Sequence, residues 1–351
     1  MLRIQDLKKN DTVEGTLLVA EKSLHFTKDG KPYLRLLLMN RTGRIEGTLW
    51  ENAEQISSTI TQGEAVTLRG VVVTYQQERQ LRIQSLAGLD PGAFNPHDYL
   101  PSSSRGTTEM AEELHRLIRA NRNPFLRRLL EDIFRDEKIW AAFSISPAAK
   151  AIHHAYLGGL LEHTLSLARL VQLTLRNYAF LDRDLLLAGA LLHDLGKSRE
   201  LSPELGFDYT DEGRLLGHIL IGMNIIESKI ALVPEFPAPL ALQLKHLLVS
   251  HHGELEFGSP KPPMTLEAFC LHQLDNLDAK LAGIREYLAS ESASQERWTA
   301  YHRVHERYFY IPESFSGLAK PEESAEKKAI PALELFADTP EDLPPTDKNP
   351  F

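Results

Sequence analysis

The run DLLLAGALLHDLGK, from Asp184 to Lys197, places a His-Asp pair at the end of a segment that otherwise belongs inside a protein. A capping residue at its start, an almost continuous apolar body and a Gly-Lys stop predict a buried helix. His193 and Asp194 are costly to bury there unless a metal or a hydrogen-bond network satisfies them. Adjacent helix residues diverge by roughly 100° in projection, yet both side chains can reach one ion lying off that edge. Taken alone, such a dipeptide is more often a satisfied buried hydrogen bond than a ligand pair.

Four further segments change that balance. His163 lies in HHAYLGGLLEHTLSLARL, His218 follows a glycine in DEGRLLGHILIGMNII, His251-His252 closes LALQLKHLLVSHHGE, and Asp275 opens DNLDAKL. Each piece has a helical apolar pattern and delivers a ligand-type residue. Imidazole nitrogens and carboxylate oxygens suit Mn, Fe, Co or Zn, and no cysteine cage competes with them. The pattern reads as a metal-dependent hydrolase. His25, His97, His115, His302 and His305 have no ligand pattern and read as structural or surface residues. His153-His154 suits either a substrate entrance or a helix start, and His246 is offset toward a different face from His251.

At 351 residues, with 42% hydrophobic and 25% charged residues, the chain is long enough for two domains of ordinary soluble composition. The start, MLRIQDLKKND, lacks an apolar leader, and the longest apolar run, Leu185 to Leu192, is too short to span a bilayer. A cytoplasmic protein without membrane attachment is expected. The single Cys270 suits a reducing compartment and reads as core packing. A net charge of −9 argues against nucleic acid at first sight. The acidity is uneven, however: residues 318 to 351 carry eight acids against four lysines, whereas residues 1 to 90 carry twelve basic against eleven acidic side chains.

From Asp11 to about Leu89 the chain alternates short strands and turns: TVEGTLLVAEKSLHF, YLRLLLMN, IEGTLW, EAVTLRGVVVTYQ and RQLRIQSL, with a short helix expected in ENAEQISSTITQ after the third strand. Five strands with a helix between the third and fourth match an OB-type barrel. Phe26, Tyr33, Trp50 and Tyr75 are interleaved with Arg35, Arg82 and other cations, as single-strand binding requires: rings stack on bases while cations track phosphates. PGAFNPHDYLPSSSRG reads as a linker, helical periodicity runs from Thr107 to ERYFYIPE, and the stretch beyond Gly317 reads as disordered apart from a short apolar patch, IPALELF, which would dock on the body or a partner. The expected organisation is therefore multidomain: a small all-β OB-type barrel over residues 1–92, a linker over 93–106, an all-α domain over 107–317, and an acidic tail over 318–351.

The order His, His-Asp, His, His-His, Asp resembles the HD superfamily of metal-dependent phosphohydrolases. More narrowly, GGLLEHTLS, LLAGALLHDLGK, YTDEGRLLGHI, SHHGELEFGSPKPPMT and LDNLDAK resemble the YhaM-type 3′-5′ exoribonucleases, which pair an OB-fold with an HD domain. The resemblance covers about Leu7 to Pro312 and is more specific in the HD part.

It implies that His163, His193, Asp194 and Asp275 hold one ion, and that Asp194 bridges to a second held by His218 and one histidine of the 251–252 pair, which the sequence does not separate and which is taken here as His251, manganese being the favoured metal. Two ions roughly 3.5 to 4 Å apart clamp the attacking and leaving oxygens of a phosphodiester, so no protein nucleophile is needed. His252 is assigned to substrate, as proton donor to the leaving oxygen, Asp278 to orienting a ligand, and Lys197, Arg214 and Lys261 to phosphate. The implied function is a 3′-5′ exonuclease on single-stranded RNA, with single-stranded DNA as a second strand type, releasing nucleoside monophosphates; self-association is left open. The rivals are an HD phosphohydrolase of small nucleotides or cyclic dinucleotides, which has little use for an OB domain, and a nucleic-acid-binding module with a non-catalytic HD scaffold, which needs no ligand set.

Overall fold

The computed structural model describes residues 2–75, 78–89, 99–150, 154–202, 207–291 and 297–312. His97, His153, the first part of the expected linker, the acidic tail and its IPALELF patch lie outside the described residues. Two compact units are present, Met1–Tyr287 and Leu288–Phe351.

The first unit opens with a closed five-stranded barrel. Its strands are β1 (Thr12–Phe26), β2 (Pro32–Asn40), β3 (Gly43–Leu49), β4 (Ala65–Tyr75) and β5 (Glu78–Gly88), joined round the barrel in the order β1-β2-β3-β5-β4. Helix α1 (Ala53–Thr59) connects β3 to β4, as the sequence predicts. Alternation sets the interior: Leu34, Leu36 and Leu38 of β2 point inward with Ile45 and Leu49 of β3 and Leu81 and Ile83 of β5. The long strand β1 pairs with β2 along one half and β4 along the other, and its register shifts between Val19 and Glu21. A bulge of this kind bends a strand enough to close a barrel.

The rest of the first unit is helical. Helices α2 (Thr107–Ala120), α3 (Pro124–Phe134), α4 (Glu137–Ile145), α5 (Gly159–Asn177), α6 (Arg183–Leu192), α7 (Lys197–Glu200), α8 (Asp211–Ile230), α9 (Ala238–Ser250) and α10 (Leu266–Glu291) follow, with a two-stranded ribbon, β6 (Leu201–Ser202) and β7 (Asp208–Tyr209), between α7 and α8. α10 runs four residues past the boundary of the unit. Side chains cap several starts: Asn123 for α3, Asp136 for α4 and Thr210 for α8. One apolar core collects α2, α3, α5, α6, α8, α9 and the start of α10, and α6 lies at its centre with every residue from Leu185 to Leu192 buried.

The sequence reading places the cap of α6 at Asp184, but Asp182 performs that role, accepting from the N–H groups of Asp184 and Leu185. The Asp184 carboxylate instead receives the N–H groups of Arg122 and Asn123 and so ties α6 to the α2–α3 turn. The stretch expected to act as a linker is partly core. Tyr99 and Leu100 are buried with Leu18, Met39 and Ala65 of the barrel and Leu157 and Phe207 of the helical part. Gln62 also reaches Asp208 across the same join. In the second unit, residues 297–312 form turns and isolated bridges, Trp298 with Tyr310 and His302 with Arg307, so helical periodicity does not extend to ERYFYIPE. Among the described residues, no helix is long and apolar enough to cross a membrane.

Candidate metal centre and nucleic-acid face

α6 stops at Leu192 because the chain tightens: Leu195 N bonds Leu192 O and Lys197 N bonds Asp194 O, turning the backbone into α7. His193 and Asp194 therefore sit in the turn itself, at the end of the most buried helix, and are 2% and 3% exposed. The turn is pressed against α8. A Cβ on Gly196 would lie 2.0 Å from the carbonyl oxygen of His218, so only glycine permits this approach. α8 is itself broken at Gly217, whose φ of 72° is open to glycine and strained for other residues. His218 is thereby aimed at the turn rather than along the helix.

Four imidazoles present Nε2 to two carboxylates. His163 Nε2 lies 3.2 Å from Asp275 Oδ1 and 3.6 Å from Asp194 Oδ2, and His193 Nε2 lies 3.2 Å from Asp194 Oδ2. On the other side of the same carboxylate, Asp194 Oδ1 stands 3.5 Å from His218 Nε2 and 3.6 Å from His251 Nε2. Each ring is fixed through its other nitrogen. His193 Nδ1–H donates to the carbonyl of Ala190, and His251 Nδ1–H to that of Leu248. A carbonyl only accepts, so the hydrogen is on Nδ1 and the Nε2 lone pair faces the carboxylate. His163 Nδ1 meets Asp278 Oδ2 at 2.9 Å and His218 Nδ1 meets Glu200 Oε1 at 3.1 Å.

Asp194 Oδ1, His218 Nε2 and His251 Nε2 are buried and have no hydrogen-bond partner. Buried polar atoms are rarely left so. Acceptors converging on acceptors fit a cation, and Asp194 groups by distance both with His163 and His193 and with His218, His251 and His252. The donor set is that of a divalent metal centre.

The electrostatics agree. Burial alone would lower His163, but hydrogen bonds to Asp275 and Asp278 outweigh it and push the ring up to about 10, so the carboxylates draw positive charge to this point and a metal bound through Nε2 must displace that proton. Burial would raise Asp194, yet Lys197 and His193 hold it well below the usual carboxylate range. Lys197 Nζ donates to Asp194 Oδ2 at 2.7 Å. His251 is lowered by burial, which favours the neutral, ligating form.

Of the residues singled out in the sequence, His163, His193, Asp194, His218, His251 and Asp275 thus come together, with His252 half-buried beside them, its ring centroid 5.0 Å from that of His218. Arg214 and Lys261 are at the surface, and Arg214 is bonded to Asp208. One partner escaped the sequence reading. Glu200 has no motif to mark it. His154, buried and bonded through Nδ1 to the Tyr156 hydroxyl, lies 3.9 Å from Asp278.

The barrel carries a second candidate surface. Strand register sets His25 opposite Tyr33, and Tyr33 is stacked between His25 and Trp50 at centroid distances of 5.4 and 4.8 Å. Arg35 and Arg82 flank Thr48 on the same outer face, with Arg35 paired to Glu46 at 2.6 Å. Phe26 and Tyr75 are exposed at the ends of β1 and β4, outside this row.

The HD domain family model matches residues 160–280, and an OB-fold nucleic acid binding domain model matches residues 12–87. The chain is 37% identical over 281 residues to a protein of Shouchella clausii named 3′-5′ exoribonuclease YhaM, covering 79% of this chain and 86% of that one. It is 36% identical to the Geobacillus sp. (strain WCH70) protein of the same name, over 86% of this chain and 92% of that one. The Bacillus subtilis protein so named is 37% identical, over 77% and 86% of the two chains. Each of these relatives is matched over more than two thirds of both chains, and on that extent of agreement the chain belongs to the YhaM family.

Proposed function

We propose that this chain is a metal-dependent 3′-5′ exoribonuclease that removes nucleoside monophosphates from single-stranded RNA. The observation that carries the reading is the set of four Nε2 atoms facing Asp194 and Asp275, each ring locked from behind by its Nδ1 contact. His163, His193, Asp194 and Asp275 would hold one ion, and Asp194, His218 and His251 the other. When bound, such ions supply Lewis acidity to the phosphoryl group and to the attacking and leaving oxygens. Manganese is the metal proposed, with Fe, Co and Zn compatible with the same donors.

The chain's own groups do the remainder. Asp278 and Glu200 orient His163 and His218 through their Nδ1 atoms. Lys197 keeps a positive charge beside Asp194 and is assigned to the scissile phosphate. His252 is assigned the proton transfer: a water gives up one proton to solvent as its oxygen forms the new P–O bond, the bond to the 3′-oxygen of the preceding nucleotide breaks, and protonated His252 gives its proton to that oxygen. No side chain becomes covalently attached. Residues 1–92 are proposed to hold the strand and residues 107–317 to cut it, with Tyr33 and Trp50 stacking on bases and Arg35 and Arg82 near phosphates. The stacked row is what favours a polymer over a small nucleotide, which would have no use for it.

The test is a manganese-supplemented time course on 5′-labelled single-stranded RNA. A ladder that shortens from the 3′ end is the expected result; a single internal cut, or cleavage of mononucleotides only, overturns the reading.

A further inference from the structure

We infer that Glu200 is a positioning residue that sets His218 as a ligand, an inference that rests on the two-ion reading above. Glu200 ends α7, the single turn whose first residue, Lys197, bonds Asp194. Its side chain is 11% exposed, and one oxygen, Oε1, accepts twice from the same residue: from His218 N at 3.0 Å and from His218 Nδ1 at 3.1 Å.

Both donors are available because α8 breaks. Inside a helix the His218 N–H would bond a carbonyl four residues back, but at Gly217 (φ 72°, ψ 157°) the chain leaves helical geometry and His218 starts a fresh stretch. Glu200 takes that orphaned N–H from a different element, and its carboxylate lies where the helix dipole favours negative charge. The same oxygen then fixes the ring. With Nδ1–H held by Glu200, the Nε2 lone pair is left facing Asp194 Oδ1 at 3.5 Å. Two carboxylates thus address the two nitrogens of one imidazole.

The main chain of Glu200 is held as firmly. Its carbonyl accepts from Thr210 N at 2.9 Å, and α8 passes so close that a Cβ on Gly213 would lie 2.3 Å from that oxygen. Glu200 is therefore pinned by the first turn of α8 while it pins the stretch beyond the break. Asp278 orients His163 from one contact to the ring; Glu200 sets both the backbone and the ring of His218.

The experiment measures manganese content and affinity of the full chain as wild type, Glu200→Ala, Glu200→Gln, His218→Ala and the Glu200→Ala/His218→Ala double variant, with helix content by circular dichroism. Orienting partners of metal ligands are worth about 10- to 100-fold in affinity. Glu200→Ala should weaken one of two ions toward the upper end of that range, and Glu200→Gln, which keeps an acceptor but not the charge, by about tenfold. The double variant should bind no more weakly than His218→Ala, because Glu200 acts through that ring. Should the alanine variant lose helix content, the glutamine variant carries the test. Glu200→Gln at wild-type affinity, or a double variant weakened by the product of both single effects, overturns the inference. A wild-type chain holding one ion overturns the two-ion reading and this inference together; two ions in wild type with no effect at Glu200 overturns this inference alone.

Discussion

Asp194 Oδ1 and His218 Nε2 lie 3.5 Å apart, both buried and both without a hydrogen-bond partner, although each residue is firmly bonded through its other polar atom. Folding has arranged two acceptors to face each other, which is unfavourable in itself and becomes favourable when a cation lies within reach. A residue whose two oxygens serve two such groupings is the one whose removal should be least tolerated.

Asp194→Asn is accordingly expected to lower hydrolysis of single-stranded RNA by about a thousandfold or more, since the Lewis-acid contribution it anchors is worth several kcal/mol. The amide keeps the volume, so far-UV circular dichroism should match wild type. Turnover within tenfold of wild type, in excess manganese, would refute the assignment.

Metal removal should be visible without any substrate. A ligand that binds only the folded chain raises its stability by mass action. Chelation is therefore expected to lower the melting temperature of wild type and to leave Asp194→Asn nearly unmoved. Equal shifts in both proteins would mean that the ions sit elsewhere.

The clustering of His163, His193, Asp194, His218, His251 and Asp275 was legible in the sequence because its cost is legible: charged and imidazole side chains in otherwise apolar helical segments need partners, and each of the six stood in such a segment. What turns His218 was not. Glu200 lies at a polar helix end where a glutamate is unremarkable, and its partner His218 is eighteen residues away. The role of Gly217 was signalled only by a glycine interrupting LLGHI. The Asp182 cap was missed for a related reason: two aspartates two apart both look like caps, and only the α2–α3 turn, distant in sequence, decides between them.

On the barrel, Trp50→Ala should weaken binding of a long single-stranded RNA by about tenfold, the lower part of what one base stack is worth. Trp50 and Tyr33 are stacked on each other, so the two substitutions should be non-additive. Competition binding of the single and double variants measures this. Wild-type affinity in the double variant would remove this face from the strand's path.

Glu113 gives a prediction about pH. Burial would raise its carboxyl, but hydrogen bonds from Arg169 and Arg105 outweigh burial and lower it, tying α2 to α5. Because the folded value lies below the unfolded one, its stabilisation is complete above the ordinary carboxylate range near about 4.3 and is lost as pH falls through the folded value. Glu113→Gln should thus be less stable than wild type at pH 7, and the gap should close in acid. Urea unfolding at both pH values is the check; a gap that widens in acid contradicts the pairing.

Gly217 allows the most demanding test of how the fold sets the centre. At φ 72° and ψ 157° the backbone lies in a region essentially open only to glycine, so an alanine is strained by about 1–3 kcal/mol. The strain is in the backbone and not in crowding, because the nearest atom to an added Cβ is Glu200 Oε1 at 3.9 Å. Gly217→Ala can relax by letting α8 run straight, which returns the His218 N–H to the helix and turns the ring away from Asp194. The expected result is a modest fall in melting temperature with a much larger fall in metal affinity and turnover. Thermal melts and manganese titrations of this variant against wild type decide the matter: an alanine variant that loses stability but keeps wild-type metal affinity would show that the break in α8 does not aim His218.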